Sequence, residues 1–194
     1  MKHAIIFAHP NANSFTARMA NAYRDAVVSS GATAIVRDLY REKFDPCLQE
    51  DEIPWSPNAK THDDVARERT LLGDADVFAL FYPLWLNAPP AMMKGYLERV
   101  FGLGFAYGHG RGGNEPLLQG RKLISVSSSG APMKWVVQTG AWQAIRTLFD
   151  SHFAAVCGMD LVDHINFGGI APGIRADAVA ASAATVQAKA KSLC

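Results

Sequence analysis

With 194 residues, 49% of them apolar and 19% charged, the chain holds enough nonpolar material for one buried core and too much for a disordered segment. Nineteen Lys and Arg against eighteen Asp and Glu leave a net charge of +1, with no block of like charges to serve as a footprint for nucleic acid or anionic lipid. No stretch approaches the ~20 apolar residues of a membrane span, so no membrane insertion is expected. Met1-Lys2-His3 leads straight into a strand-like run without a cleavage pattern, which makes a cytoplasmic location the expectation. Cys47, Cys157 and Cys194 fit neither a disulfide framework nor a zinc pattern, and His62, His152 and His164 lack companions at ligand spacing. Reduced thiols, structural histidines and no metal are expected.

Ile5-Ile6-Phe7-Ala8 reads as a strand buried on both faces, ending at the turn formers His9-Pro10-Asn11-Ala12-Asn13. Ser14 or Asn13 can cap the helix that follows, whose apolar positions Phe15, Met19, Ala22, Tyr23, Ala26 and Val27 recur with helical spacing up to Gly31. The alternation continues with a strand at Thr33–Val36, a helix near His62–Leu72, a strand at Val77–Tyr82 and a helix over Pro90–Phe101. It closes with a strand at Lys122–Ser127, a helix over Ala141–Cys157, a strand near Leu161–Phe167 and an Ala-rich helix from about Arg175 to Ser192. Strands that alternate with helices predict a parallel sheet covered on both faces, because parallel neighbours need a crossover and the helix supplies it. With no linker or repeat, residues 1–194 are expected to form a single domain.

In such a sheet ligands lie beyond the carboxyl ends of the strands, where strand order reverses. The first loop lacks the glycines of a dinucleotide fingerprint; His9-Pro10-Asn11-Ala12-Asn13-Ser14-Phe15-Thr16 instead offers hydroxyls, amides and a helix start, which can hold a phosphate or serve as an ordinary cap. Tyr82-Pro83-Leu84-Trp85-Leu86-Asn87-Ala88-Pro89-Pro90 sets a large aromatic in a proline-stiffened turn, to be covered by a flat ligand, a partner subunit or the core. Ser127-Ser128-Ser129-Gly130-Ala131 is a run of small residues that lets a ligand approach the backbone; a serine nucleophile competes there, without the usual elbow or an assignable His and acid. The glycine-rich, aromatic segment at about 102–121 is too long for a mere connection and is read as a flap.

Three blocks taken in order resemble the flavodoxin-like NAD(P)H:quinone oxidoreductase (DT-diaphorase) family. They are Ala8-His9-Pro10 with Ser14-Phe15-Thr16, the long block Pro83–Phe101 with its sequel Phe105-Ala106-Tyr107, and Ser127-Ser128-Ser129-Gly130. The resemblance implies an α/β flavodoxin-like three-layer sandwich whose five-stranded parallel sheet has the order 2-1-3-4-5. It also implies a flavin, FAD or else FMN, with its phosphate on His9, Ser14, Phe15 and Thr16. The ring edge would lie on Pro83, Leu84, Trp85, Leu86 and Asn87 and on the N–H groups beside Ser127, Ser128, Ser129, Gly130 and Ala131. Relatives pass a hydride from NADH or NADPH to flavin N5 and then to a quinone or similar electrophile in a ping-pong cycle. Most are homodimers in which the neighbour's flap covers the ring, so Phe105, Tyr107 and His109, with Met133 and Trp135, are the expected substrate contacts.

Animal members of the group carry a Tyr and a His beyond the small-residue turn, where this sequence has Trp135 and Ala141. No general acid is therefore assigned, and Lys134, Trp135 and Gln138 are the partial substitutes at hand. Arg111 and Arg175 are the candidate contacts for an FAD diphosphate. Two other readings stand beside the quinone reductase: a flavin-binding ancillary subunit of a membrane transporter, and an azo- or nitroreductase.

Overall fold

Two long apolar runs, residues 4–8 and 77–84, lie side by side at the centre of one sheet. The computed structural model describes residues 1–194. Strands β1 (Lys2–Phe7), β2 (Thr33–Asp38) and β3 (Val77–Pro83) alternate with helices α1 (Phe15–Ser29), α2 (Asp63–Leu72) and α3 (Ala91–Val100). After α3 come a hairpin of β4 (Tyr107–Gly110) and β5 (Gly113–Pro116), then β6 (Lys122–Ser128), α4 (Met133–Gln138), α5 (Ala141–Ile145), α6 (His152–Cys157), β7 (Asp160–Phe167) and α7 (Ala176–Lys191). The main sheet has five strands in the order β2-β1-β3-β6-β7, all parallel, with the hairpin apart from it. This is the predicted 2-1-3-4-5 arrangement, β6 and β7 being its fourth and fifth strands.

Side chains alternate between the two faces because the strand period is two. Ile5, Phe7, Val77, Ala79, Phe81, Ile124 and Val126 pack with Met19, Tyr23 and Val27 of α1 and Val186 and Ala190 of α7. Ala4, Ile6, Phe78, Leu80, Tyr82 and Leu123 pack on the other side with Val65 and Leu72 of α2, Met93, Tyr96, Leu97 and Val100 of α3, and Ala154 and Cys157 of α6. No helix is long and apolar enough to cross a membrane.

On the second face a polar staple joins three segments. Arg99 of α3, its side chain 2% exposed, donates to both carboxylate oxygens of Glu52 at 2.9 Å, to Asp64 of α2 at 2.7 and 3.1 Å, and to the Asp45 carbonyl at 2.6 Å. One turn earlier, Gly95 lets the same segment press against the helix, since a Cβ there would stand 2.0 Å from the Pro46 carbonyl oxygen.

Three segments differ from the sequence prediction. The flap contains an antiparallel hairpin, with Tyr107 paired to Pro116. The stretch read as loop between Ser127 and Gly140 holds α4, too short to show a helical period. The predicted helix Ala141–Cys157 is helical throughout but widens to a π turn at Arg146–Ser151, which carries the buried Asp150.

Candidate functional site

The strand order places the carboxyl ends of β1, β3 and β6 side by side, and the three loops meet there. The Ala8 N–H donates to the Phe81 carbonyl at 2.9 Å, and the Leu84 N–H donates to the Ser128 carbonyl at 2.7 Å. Thr16 Oγ1 lies 3.1 Å from Ser128 Oγ, joining the start of α1 to the end of β6. The His9 and Trp85 rings lie 5.7 Å apart, and Phe15 meets Phe167 edge-on at 5.4 Å. Segments more than forty residues apart thus form one rim containing His9, Ser14, Phe15, Thr16, Pro83 to Asn87 and Ser127 to Ala131.

The chemistry of this rim is donation from the main chain. Ser14 caps α1, its hydroxyl accepting the Ala17 N–H at 3.1 Å. That leaves the Phe15 and Thr16 N–H groups without an intrahelical partner, at the positive end of a fifteen-residue helix with no acidic residue in its first turn. His9 accepts the Asn11 N–H at Nδ1 (2.9 Å), and partial burial lowers its pKa, so the neutral ring carries its proton on Nε2.

The β3 loop is a tight two-residue turn. Trp85 and Ala88 exchange N–H···O bonds of 3.0 and 3.1 Å around Leu86 and Asn87, whose φ angles are 53° and 56°. The left-handed region is costly for a leucine, by about 1–2 kcal/mol, and Leu86 is fully exposed, so packing gives nothing back. Leu86→Gly is expected to raise stability by about 1 kcal/mol in denaturant titration; an unchanged or lower midpoint contradicts strain at this residue.

The N–H groups of Leu86, Asn87, Gly130 and Ala131 donate to no protein acceptor. The Ser129 N–H, expected among the ring-edge donors, is instead given to the Phe167 carbonyl at 2.9 Å, because the β6–β7 ladder runs one residue beyond the strand. This narrows the free donors on that turn to Gly130 and Ala131. Beside Gly130 the space is open: a Cβ there would meet only the Ile170 carbonyl oxygen, at 3.8 Å. Orphan donors on two turns and on one helix start fit a flat ring with a polar edge and an anionic tail, as a flavin nucleotide has.

Met133 and Trp135 stand on α4 beside this rim, Met133 Sδ lying 3.3 Å from Asn166 Nδ2. Phe105, Tyr107 and His109 are not brought to it within the chain. The flap follows the end of α3, the Leu118 N–H donates to the Cys157 carbonyl at the end of α6, and Phe105 packs on Phe101 at 5.5 Å. Helix ends and strand starts of this sheet lie at the edge opposite the rim. Arg175 is exposed and paired with Asp177, and Arg111 is exposed in the hairpin turn.

Away from the rim, a groove of about 630 Å³ runs between the 48–61 segment, α3 and α6, with Trp55 and Leu148 exposed at its margin and Tyr107 in its lining. None of the rim residues lines it.

Sequence reading missed Asp150 and Asn166 and took His164 only as a structural histidine; all three sit directly behind the small-residue turn. His164 pairs in register with Ser125, and Asn166 with Ser127. The available signal was the alternation of Ser125, Ser127 and Ser129 on one face of an apolar strand, which demands polar partners.

A family model described as flavodoxin-like fold matches residues 1–190. An uncharacterized NAD(P)H oxidoreductase of Haemophilus influenzae is 32% identical over 171 residues, which span 88% of this chain and 85% of that protein. The NAD(P)H dehydrogenase (quinone) 1 of Rattus norvegicus is 25% identical over 179 residues, 82% of this chain but only 65% of the rat enzyme. Among solved structures, an NAD(P)H:quinone oxidoreductase from Methanothermobacter marburgensis shares 27% identity at a TM-score of 0.87, covering 100% of this chain and 96% of that one. The chain belongs to the flavodoxin-like fold family.

Proposed function

We propose that the chain is a flavin-dependent NAD(P)H:quinone oxidoreductase, as the names of its relatives indicate for them. The observation that carries the reading is the convergence at one rim of N–H donors that find no protein acceptor: Phe15 and Thr16, Leu86 and Asn87, Gly130 and Ala131. A bound flavin supplies a two-electron centre that takes a hydride from NADH or NADPH and returns it to an electrophile.

The residues around it have separate tasks. Phe15 and Thr16 hold the phosphate by their N–H groups, with the dipole of α1 behind them. Trp85 and His9 form an aromatic wall, and the Leu86, Asn87, Gly130 and Ala131 N–H groups face the polar ring edge. Such fixed donors favour the electron-rich form of a ring over the electron-poor form. FAD is the flavin of this reading, with FMN sharing the same ring and first phosphate.

The single domain 1–194 works as a homodimer in the same reading. The flap at about 102–121 lies at the wrong edge of its own sheet, so Phe105, Tyr107 and His109 close over the neighbour's rim, and a second copy covers Trp55 and Leu148. Met133 and Trp135 border the acceptor site from within the chain.

The test is reconstitution with FAD or FMN followed by anaerobic addition of NADH or NADPH. Flavin absorbance should bleach and then recover on adding a small quinone, more slowly with an azo dye or a nitroarene. Absence of binding, or binding without bleaching by either nucleotide, overturns the reading.

A further inference from the structure

Behind the Ser127–Ala131 turn runs a chain of buried polar groups to which the proposed function assigns no role. Asp150 and His164 have side chains 0% exposed, with His164 Nδ1 2.6 Å from Asp150 Oδ2. The Ser125 hydroxyl donates to Asp150 Oδ1 at 2.7 Å. His164 Nε2 lies 2.7 Å from Ser127 Oγ, which lies 2.9 Å from Asn166 Oδ1. Asn166 Nδ2 in turn lies 3.4 Å from Ser129 Oγ, whose hydroxyl donates to the Ala131 carbonyl at 2.9 Å.

The protons of this chain can be placed from its outer end, because each hydroxyl has only one to give. Ser129 gives its proton to Ala131 and can therefore only accept from Asn166. That turns the Asn166 amide nitrogen toward Ser129 and Met133 Sδ, and its oxygen toward Ser127. Ser127 must then donate to Asn166, since two acceptors at 2.9 Å would repel. Ser127 is left as an acceptor from His164, so Nε2 carries a proton. Asp150 already receives Ser125 on one oxygen and meets His164 Nδ1 with the other. One proton lies in the bond between Asp150 and His164.

We propose that Asp150, His164, Ser127 and Asn166 form a one-way hydrogen-bond relay that fixes the donor turn behind the ring edge of the bound cofactor. These are positioning residues, and their role toward the ring rests on the flavin reading above. Asp150, His164 and Ser127 have the composition of a serine-protease triad and are wired otherwise: Ser127 is 1% exposed, lies within β6, and gives its proton to Asn166, while His164 Nε2 carries a proton and so offers Ser127 no lone pair. Tyr82 of β3 and Trp142 of α5 complete the enclosure, their rings 6.1 and 4.8 Å from His164. Burial of so polar a cluster costs desolvation that hydrophobic packing would avoid, so it is kept for orientation instead of stability.

The first test needs neither variant nor flavin. In ¹⁵N-labelled protein, Nε2 of His164 is expected to carry a proton; a ring protonated on Nδ1 alone overturns the relay. The second compares reduced and oxidised flavin. In His164→Leu, which removes the donor to Ser127, preference for the reduced form should fall about tenfold, which is ~30 mV more negative for a two-electron couple. Ser127→Ala, which cuts the relay beyond His164, should shift it in the same direction and move the Gly130 and Ala131 amide resonances in the flavin-free protein. An unchanged potential in both variants, or labelling of Ser127 by a fluorophosphonate probe, overturns the proposal. Failure of the unaltered protein to bind flavin would sink the flavin reading alone and leave the ring-proton result standing.

Discussion

Ser14→Asp is expected to leave the fold as stable as before while weakening binding of a phosphate-bearing flavin by about a hundredfold. Aspartate caps a helix about as well as serine, and a negative charge at the start of α1 suits its dipole, so the helix has no reason to fray. The same charge faces the N–H groups of Phe15 and Thr16, where the phosphate would sit. Two unit charges 4 Å apart repel by about 4 kcal/mol at an effective dielectric of 20, and exposure at this rim reduces that to roughly 2–3 kcal/mol. Thermal unfolding and fluorescence titration with FMN separate the two effects. Equal affinity for FMN in the variant would mean that the helix start is not the phosphate site. Ser14→Ala gives the complementary result: loss of about 1 kcal/mol of stability, with the N–H donors still present.

Arg99→Met should be the most destabilising conservative-volume change on the α3 face. It leaves the buried Glu52 carboxylate and the Asp45 carbonyl without their donor, and breaking a buried pair from one side costs about 3–5 kcal/mol. At roughly 2–4 °C per kcal/mol for a chain of this size, the melting temperature should fall by about 10 °C. Replacing Glu52 as well, in Arg99→Met with Glu52→Leu, should recover most of the loss, because the orphaned charge has gone. A double variant no more stable than Arg99→Met would show that the staple acts through packing of the 45–52 segment against Gly95 and not through charge.

Arg99 also shows which parts of the molecule the amino-acid sequence makes legible. The strands could be read because β1 and β3 are buried on both faces and hence nearly uninterrupted in apolar residues, with Leu123, Ile124 and Val126 marking β6, and the helices between them because their stripes have helical period. The rim could be read because turn formers follow each of those strands. Arg99 itself stands in the long family-like block, where its type says nothing of whether it meets a ligand or, as the structure shows, Glu52 and Asp64. Long-range polar pairing is invisible to local pattern, and the pairing of His164, read only as a structural histidine, with Asp150 is hidden for the same reason: Asp150 is carried by a π turn that no propensity marks, His164 by an edge strand. The hairpin at Tyr107–Gly110 and Gly113–Pro116 was hidden by its glycines, which weaken any strand signal.

The most direct measurement is a parallel titration of the protein with riboflavin, FMN and FAD, following quenching of flavin fluorescence. If main-chain donors grip the ring and the start of α1 holds the tail, FMN and FAD bind one per chain and riboflavin binds about a hundredfold more weakly, since it alone lacks the phosphate. Riboflavin binding as tightly as FMN, or none of the three binding, would contradict the assignment of the rim.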